Sequence, residues 1–289
     1  MSVYSTEQFV DTVYLGDVLE LLAQLPDKSV DMVYGDPDYN VGVKYEGKSY
    51  TRKFDEYIDW YIRLAKESLR VLKDDGNLFL INYPKQNAYL RVRYLDEACY
   101  EVQDYVWIYN TNIGHSPRRF TTAHRSVLHA RKTRHNRFYK DQVAVPYQNP
   151  NDKRIRQRIA QGSKGRMPYS WFYFDLVKNV SHEKTKHPCQ IPQGLYEMLL
   201  KASTRPGDIA LILFGGSGSE IEVTRRLGRH FISAEIDPEY HRLIMERLKT
   251  GTVPADFKLR VPQRTSKPLQ QPRLLEAAEK YSINEAKPS

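Results

Sequence analysis

The sequence predicts an α/β fold built on a doubly wound, mostly parallel sheet, and three observations predict it. Short apolar runs alternate with stretches of helical rhythm along much of the 289-residue chain, the pattern of a sheet covered by helices on its faces. A glycine-rich turn, Gly215-Gly216-Ser217-Gly218, follows one apolar run and opens a helix-like stretch. A second apolar run ends in Gly35-Asp36-Pro37-Asp38-Tyr39-Asn40, and reactive residues of open α/β sheets gather at the carboxyl ends of strands.

In chain order, the expected strands are 12–15, 30–34, 77–81, 105–109, 126–130, 209–214 and 231–235. Each is short, apolar and rich in β-branched or aromatic residues. Apolar residues from Tyr57 to Leu72 recur at helical spacing, and the turn Asp74-Asp75-Gly76 is expected to close that helix. Helices are also expected at 195–202, 220–227 and 240–248. The stretch 132–165 has little periodicity and much charge, and reads as an insertion. From residue 251 the chain is polar and contains prolines, an extension with a short helix expected near 274–281.

Charge is unevenly placed. The whole chain carries +9, yet residues 111–170 hold 14 Lys or Arg against Asp141 and Asp152, a local +12. Aromatic residues interleave with that charge at Phe120, Phe138, Tyr139, Tyr147, Tyr169 and Trp171. Rings that can stack on bases, set among cations, favour a nucleic-acid partner over a merely solvated face. No apolar run approaches the roughly 20 residues of a membrane span, so no membrane association is expected, and the N-terminus lacks the segments of a signal peptide. Cys99 and Cys189 are too few for a disulfide framework or a zinc site. A cytoplasmic protein is the expectation.

Two segments carry chemistry. In Phe214-Gly215-Gly216-Ser217-Gly218-Ser219, glycines let the backbone turn sharply while N–H groups at the helix start face a ligand. Glu235, 17 residues beyond Gly218 at the end of the next strand, can accept hydrogen bonds from ribose hydroxyls. Together they signal an adenosine-bearing cofactor. Asp36-Pro37-Asp38-Tyr39 supplies carboxylates and a ring at another strand end.

An adenosyl-type site combined with Asp-Pro-x-Tyr resembles the amino-methyltransferases that act on N6 of adenine or N4 of cytosine in DNA. The catalytic motif precedes the cofactor glycines with the basic region between them, an order similar to the β group of these enzymes. Leu15-Gly16-Asp17-Val18-Leu19 resembles the family's strand-end Asp that contacts the cofactor adenine, and Lys186-His187-Pro188-Cys189-Gln190-Ile191-Pro192 resembles its motif before the glycine strand. The segment from Asn112 to Ser126 is similar to adenine methyltransferases of type IIS restriction systems.

The resemblance implies a bacterial enzyme of the S-adenosylmethionine-dependent methyltransferase type that modifies double-stranded DNA. Its catalytic domain would comprise 1–110 and 183–250. Residues 111–182 would add the last sheet strands and target recognition, and 251–289 a C-terminal extension. Asp36, Pro37, Asp38 and Tyr39 would act on the base, adenine N6 ahead of cytosine N4, with no metal. Asp17, His187, Phe214, Gly215, Gly216, Ser217, Gly218, Ser219 and Glu235 would hold S-adenosylmethionine. Arg118, Arg119, Arg125, Arg154, Arg156 and Arg158 are the expected DNA contacts. A homodimer and a cognate restriction endonuclease are the further partners it implies.

Two departures stand out: Asp38 replaces the family's second proline, and Ile212-Leu213 replaces its Asp-Pro before Phe214. Other readings fit less of the chain. Pro188-Cys189-Gln190 echoes the cytosine-C5 methyltransferase nucleophile but lies before the glycines instead of after them. Pro37-Asp38 followed by Glu46-Gly47-Lys48 matches a short, frequent nuclease pattern, and His115, His124, His129 and His135 have no standard ligand spacing. An NAD-linked oxidoreductase leaves Asp36 to Tyr39 and the basic region unexplained, and a noncatalytic DNA-binding module leaves the glycine turn and Glu235 without a role.

Overall fold

The computed structural model describes residues 5–42, 44–45, 48–49, 51–111, 116–177 and 184–258. Its strands are β1 (Thr12–Leu15), β2 (Val30–Gly35), β3 (Lys44–Tyr45), β4 (Lys48–Ser49), β5 (Leu72–Asn82), β6 (Glu101–Ile108), β7 (His124–Arg131), β8 (Trp171–Tyr173), β9 (Ile209–Ile212) and β10 (His230–Glu235). The helices are α1 (Val18–Gln24), α2 (Phe54–Val71), α3 (Pro84–Leu90), α4 (Asp96–Ala98), α5 (Lys140–Val143), α6 (Lys153–Ala160), α7 (Gln193–Ser203), α8 (Ser219–Arg226) and α9 (Pro238–Thr250).

Eight strands form one sheet in the order β1-β10-β9-β2-β5-β7-β6-β8. Only β7 runs against its neighbours, pairing antiparallel with β5 and β6, while the other pairs are parallel. The expected doubly wound, mostly parallel α/β sheet is therefore what the chain forms. Every residue of β2 is buried, as suits a central parallel strand covered on both faces. One core layer packs α1 and α2 against one face through Leu21, Leu22, Ile58, Tyr61 and Leu64. The other packs α7 against Met32, Tyr34, Phe79 and Trp107.

The turn expected at Asp74-Asp75-Gly76 is absorbed into β5. Register with β2 jumps from Val30↔Leu72 to Met32↔Asn77, so residues 73–76 bulge outward. Gly76 is needed there because a Cβ would lie 2.8 Å from the Asp31 carbonyl oxygen. Asp74 meets Lys28 and Lys132, and Asp75 meets Arg137. The strand expected to reach Phe214 stops at Ile212, and β8 supplies an edge strand not expected from sequence.

The stretch 132–165 is also more ordered than its composition suggests. Its first residues are tied to the core: Arg137 bridges Asp31 and Asp75, and the Tyr139 N–H donates to the Ala202 carbonyl. Helix α6 starts where Asp152 accepts from the N–H groups of Arg154 and Ile155, an N-cap. No α6 residue is buried, so apolar periodicity could not announce it. The helix expected at 274–281 lies outside the described residues. None of the described helices is long and apolar enough to cross a membrane.

Candidate active site

The carboxyl ends of the parallel strands deliver the chemistry to one cavity. Its wall combines Asp17 after β1, Asp36 to Tyr39 after β2, Phe214 to Ser217 after β9, Glu235 closing β10, and His187. Strand pairing makes these segments neighbours: Leu15 lies beside Glu235, and Tyr34 beside Ile212. Gly35 lets β2 end between β9 and β5, since a Cβ there would come within 2.8 Å of both Leu213 and Leu80 side chains.

On the glycine side, Glu235 Oε2 accepts the Gly216 N–H at 2.7 Å and Oε1 accepts the Asp237 N–H at 2.8 Å. The carboxylate thereby pins the turn to β10. Burial raises its pKa to about 7, against the pull of those backbone donors. Gly216 has φ +52°, and a Cβ there would sit 3.4 Å from His187 Nε2, so backbone and imidazole close on each other. Burial lowers the His187 pKa to about 4, which keeps the ring neutral near pH 7. Asp17 caps α1 through the Leu19 N–H at 2.7 Å and still borders the cavity.

Gly218 and Ser219 are placed differently from expectation. Neither lines the cavity. Gly218, at φ +73°, packs towards Ile244 and Arg247, and Ser219 is buried in the first turn of α8 with its hydroxyl 2.7 Å from that of Ser217. Their part is to turn the chain into the helix.

On the side of the acidic motif the loop is braced from several elements. Tyr57 donates to the Asp38 carbonyl at 2.8 Å, and Gln86 Nε2 donates to the Tyr39 carbonyl at 2.8 Å. Asn40 exchanges hydrogen bonds with the Arg52 backbone in both directions. Among the described residues the Pro37 carbonyl accepts no hydrogen bond. Asp38 Oδ2 accepts the Asn40 N–H at 3.1 Å, while buried Oδ1 has no hydrogen-bond partner among the described residues.

Asp36 Oδ1 accepts a hydrogen bond from the Tyr39 hydroxyl. Burial is the largest influence on this carboxyl and raises its pKa to about 8. Glu220 and Asp38 push the same way, whereas the Tyr39 hydrogen bond and Arg125 oppose them. Tyr39 is only 7% exposed, its ring edge-on to Tyr83 at 5.4 Å. The ring is part of the cavity wall.

Among the expected DNA contacts, Arg118 and Arg119 are exposed in the segment between β6 and β7, at the sheet end where the Asp36 to Tyr39 segment lies, next to a fully exposed Phe120. Arg154, Arg156 and Arg158 lie on α6, in a segment that leaves the sheet at the opposite end of β7. Arg125 does not join them. Its guanidinium lies over the Tyr83 ring at 3.7 Å. Sequence reasoning missed this placement, and it missed Glu220, Trp60 and Arg52 in the cavity wall, which sit on helix faces or loops with no motif to mark them. His115 falls outside the described residues. His129 is buried between Tyr105 and Asn77.

A doubly wound sheet that brings a glycine turn, a ribose-type carboxylate and a second acidic motif to one set of strand ends defines a nucleotide-cofactor enzyme class. The chain belongs to the N6/N4 methyltransferase family, described as DNA methylase, whose profile matches residues 30–246. It is 28% identical over 247 residues to the type II methyltransferase M.BglII of Bacillus subtilis, covering 81% of this chain and 68% of that protein. It is also 28% identical over 250 residues to the DNA adenine methyltransferase YhdJ of Escherichia coli (strain K12), covering 83% of each. The PvuII DNA methyltransferase, described as cytosine-N4-specific, has the same fold at TM-score 0.60 and 24% identity, covering 80% of this chain and 83% of that one.

Proposed function

We propose that the chain transfers the methyl group of S-adenosylmethionine to the exocyclic amino group of a base in double-stranded DNA, with N6 of adenine as the target. The observation that carries this reading is the meeting of Asp36 to Tyr39 with Gly215 to Ser217 and Glu235 in one cavity, from segments about 180 residues apart in sequence. Family membership, which spans N6 and N4 methylases, supports the reaction class. The acidic first motif residue favours adenine.

The cavity residues fit the cofactor. Glu235 would offer its buried carboxylate to the ribose hydroxyls, Asp17 and Phe214 would help hold the cofactor's adenosyl part, and the glycine turn would let backbone approach it closely. When bound, S-adenosylmethionine supplies a strongly electrophilic sulfonium methyl. The chain's task is to make a conjugated amine nucleophilic. Asp36 and the Pro37 carbonyl accept the two amino hydrogens and so localise the nitrogen lone pair for in-line attack. Tyr39 holds Asp36 and packs against the everted base. Asp36, made more basic by burial, takes the proton that leaves the methylated nitrogen and passes it to water.

Base eversion costs a few kcal/mol, offset by phosphate contacts from the basic region. Residues 111–182 carry target recognition in this reading, and a cognate restriction endonuclease and a second copy of the chain are its further partners. The test is mass spectrometry of nucleosides from duplex DNA incubated with the protein and isotope-labelled S-adenosylmethionine. N6-methyladenine is expected, N4-methylcytosine would move the target within the same reaction class, and an unlabelled product pool would defeat the reading. NAD binding by calorimetry would instead favour an oxidoreductase.

A further inference from the structure

Four neighbouring strands, β2, β5, β7 and β6 in sheet order, each place one residue at the same end of the sheet. Tyr39 and Tyr83 follow β2 and β5, Arg125 is the second residue of β7, opposite Trp107, and Tyr109 follows β6. The guanidinium fills the space between the three rings. Its Nη2 donates to the Tyr83 hydroxyl at 2.9 Å, and Nη1 donates to the Tyr109 hydroxyl and to the His124 carbonyl. Its Cζ lies 5.2 Å from the ring centroids of both Tyr39 and Tyr109. Three of the five guanidinium N–H donors are thus engaged within the protein.

We propose that Arg125 is a positioning residue of the catalytic centre, fixing the Tyr39 ring through a Tyr83–Tyr109 cage and setting a positive charge against Asp36, instead of holding a DNA phosphate. The proposal rests on the methyltransferase reading above. Contact runs from Arg125 through Tyr39, whose hydroxyl bonds Asp36. The groups that face Asp36 are Asp38 and Tyr39 from its own loop, Tyr34 from β2, Tyr57 and Tyr61 from α2, Glu220 from α8 and Arg125 from β7. Glu220 and Asp38 drive Asp36 towards its protonated form; Arg125 works against them. Lysine cannot replace it fully, because a point charge on a flexible stem neither stacks on Tyr83 nor forks to two hydroxyls.

The test compares Arg125→Met, Arg125→Lys and the gentler Tyr109→Phe with the parent. For Arg125→Met, kcat should fall about 10²-fold, as misplacing a group near the reacting atoms does. S-adenosylmethionine affinity, duplex affinity and salt slope should all hold. Arg125→Lys should recover less than about a tenth of the lost rate, and Tyr109→Phe should lose several-fold. Independently of turnover, the Asp36 carboxyl, followed by carbon-13 NMR without DNA or cofactor, should titrate at higher pH in Arg125→Met and close to the parent in Arg125→Lys.

An unchanged kcat with an unchanged Asp36 titration overturns the proposal. So does a loss confined to duplex affinity with a salt slope flatter by about one, the mark of a phosphate ligand. If Arg125→Met loses its near-ultraviolet dichroism, Arg125→Lys and Tyr109→Phe decide, and full activity in both sinks the idea. If the parent methylates no DNA, the functional reading fails, while the Asp36 titration still decides whether Arg125 serves this carboxyl.

Discussion

The Tyr39 hydroxyl donates its hydrogen bond to Oδ1 of Asp36, three residues earlier in the same loop. Motif aromatic and motif acid are thus one unit, and disturbing either alters the other. This has a direct consequence for mutagenesis. Asp36→Ala should lower the methylation rate by about 10²–10³-fold, the range for losing one preorganised polar partner of the transition state. Cofactor affinity should stay near the parent value by calorimetry, because in the proposed mechanism Asp36 acts on the base. A mutant that turns over normally would remove Asp36 from the mechanism.

Glu235→Gln should weaken S-adenosylmethionine binding roughly 10–100-fold, since hydrogen bonds to a charged group are worth about 1.5–3 kcal/mol. An amide also places an N–H group where Gly216 or Asp237 now donates, which loosens the glycine turn. With a pKa of about 7, the Glu235 carboxyl becomes increasingly ionised as pH rises through neutrality. Parent affinity should therefore improve from pH 6 to pH 8 by more than that of the Gln variant, and identical pH slopes would contradict the assignment.

The raised pKa of Asp36, about 8, should appear as an acid limb in kcat/KM for DNA, with activity rising as pH approaches 8 and levelling above it. Asp38→Asn removes a like charge that helps hold Asp36 protonated, so the limb should move to lower pH. Stability runs the other way. Asp36 rises from 3.8 to about 8 and Glu235 from 4.5 to about 7, so between pH 5 and 8 the folded chain binds more protons than the unfolded chain. Its stability from these two groups declines as pH rises. His129 and His187, lowered from 6.5 to about 4, oppose this only below about pH 6.5. Melting temperatures across pH 5 to 9, with and without Asp36→Asn, check the sign.

Asp31, 2% exposed, accepts from Lys73, Arg137 and the Ile209 N–H at 2.7, 2.7 and 2.9 Å. Replacing it with Ala should cost about 3 kcal/mol, the lower end for breaking a buried pair, since both cations keep some access to water. The urea midpoint measures this; a shift within error would show that the cluster is dispensable.

Arginines that touch phosphate should behave alike on every sequence. Arg156→Ala is expected to weaken cognate and scrambled duplexes equally and to flatten the salt slope by roughly one contact. Arg118→Ala, on the loop at the catalytic end, should cost about 1–3 kcal/mol at one base position if it reads guanine. Titrations at several salt concentrations separate the two. If neither variant changes affinity or slope, the DNA face lies elsewhere.

What could be read from sequence was what lies contiguously along it. Asp36 to Tyr39, Phe214 to Ser217 and Glu235 each follow an apolar run, and a parallel sheet brings such strand ends together by construction. The boundary between ligand-facing and helix-turning glycines was not readable, because Gly216 and Gly218 differ in what their backbones face, not in kind. Nor was the cage legible. Tyr39, Tyr83, Tyr109 and Arg125 come from four strands, and Arg125, one of 14 cations in a basic stretch, carries no mark of its inward place. The helix α6 escaped because it buries nothing, and β8 because three residues are too short for an alternation to register.

The strand order also dictates when the protein can exist. The Ile209 N–H bonds Asp31 across 178 residues, and the Phe231 N–H bonds Asp11 across 220. At a translation rate of about 5–20 residues per second, the N-terminal strand waits roughly 10–45 s for its partner. Meanwhile β2 has an unsatisfied edge open to wrong pairing. A nascent chain can complete the Asp36 loop and its aromatic surroundings long before it owns a cofactor half. The sheet order thus makes completion of the site wait on β9 pairing beside β2 and β10 closing on β1, the last strands of the sheet to be synthesised.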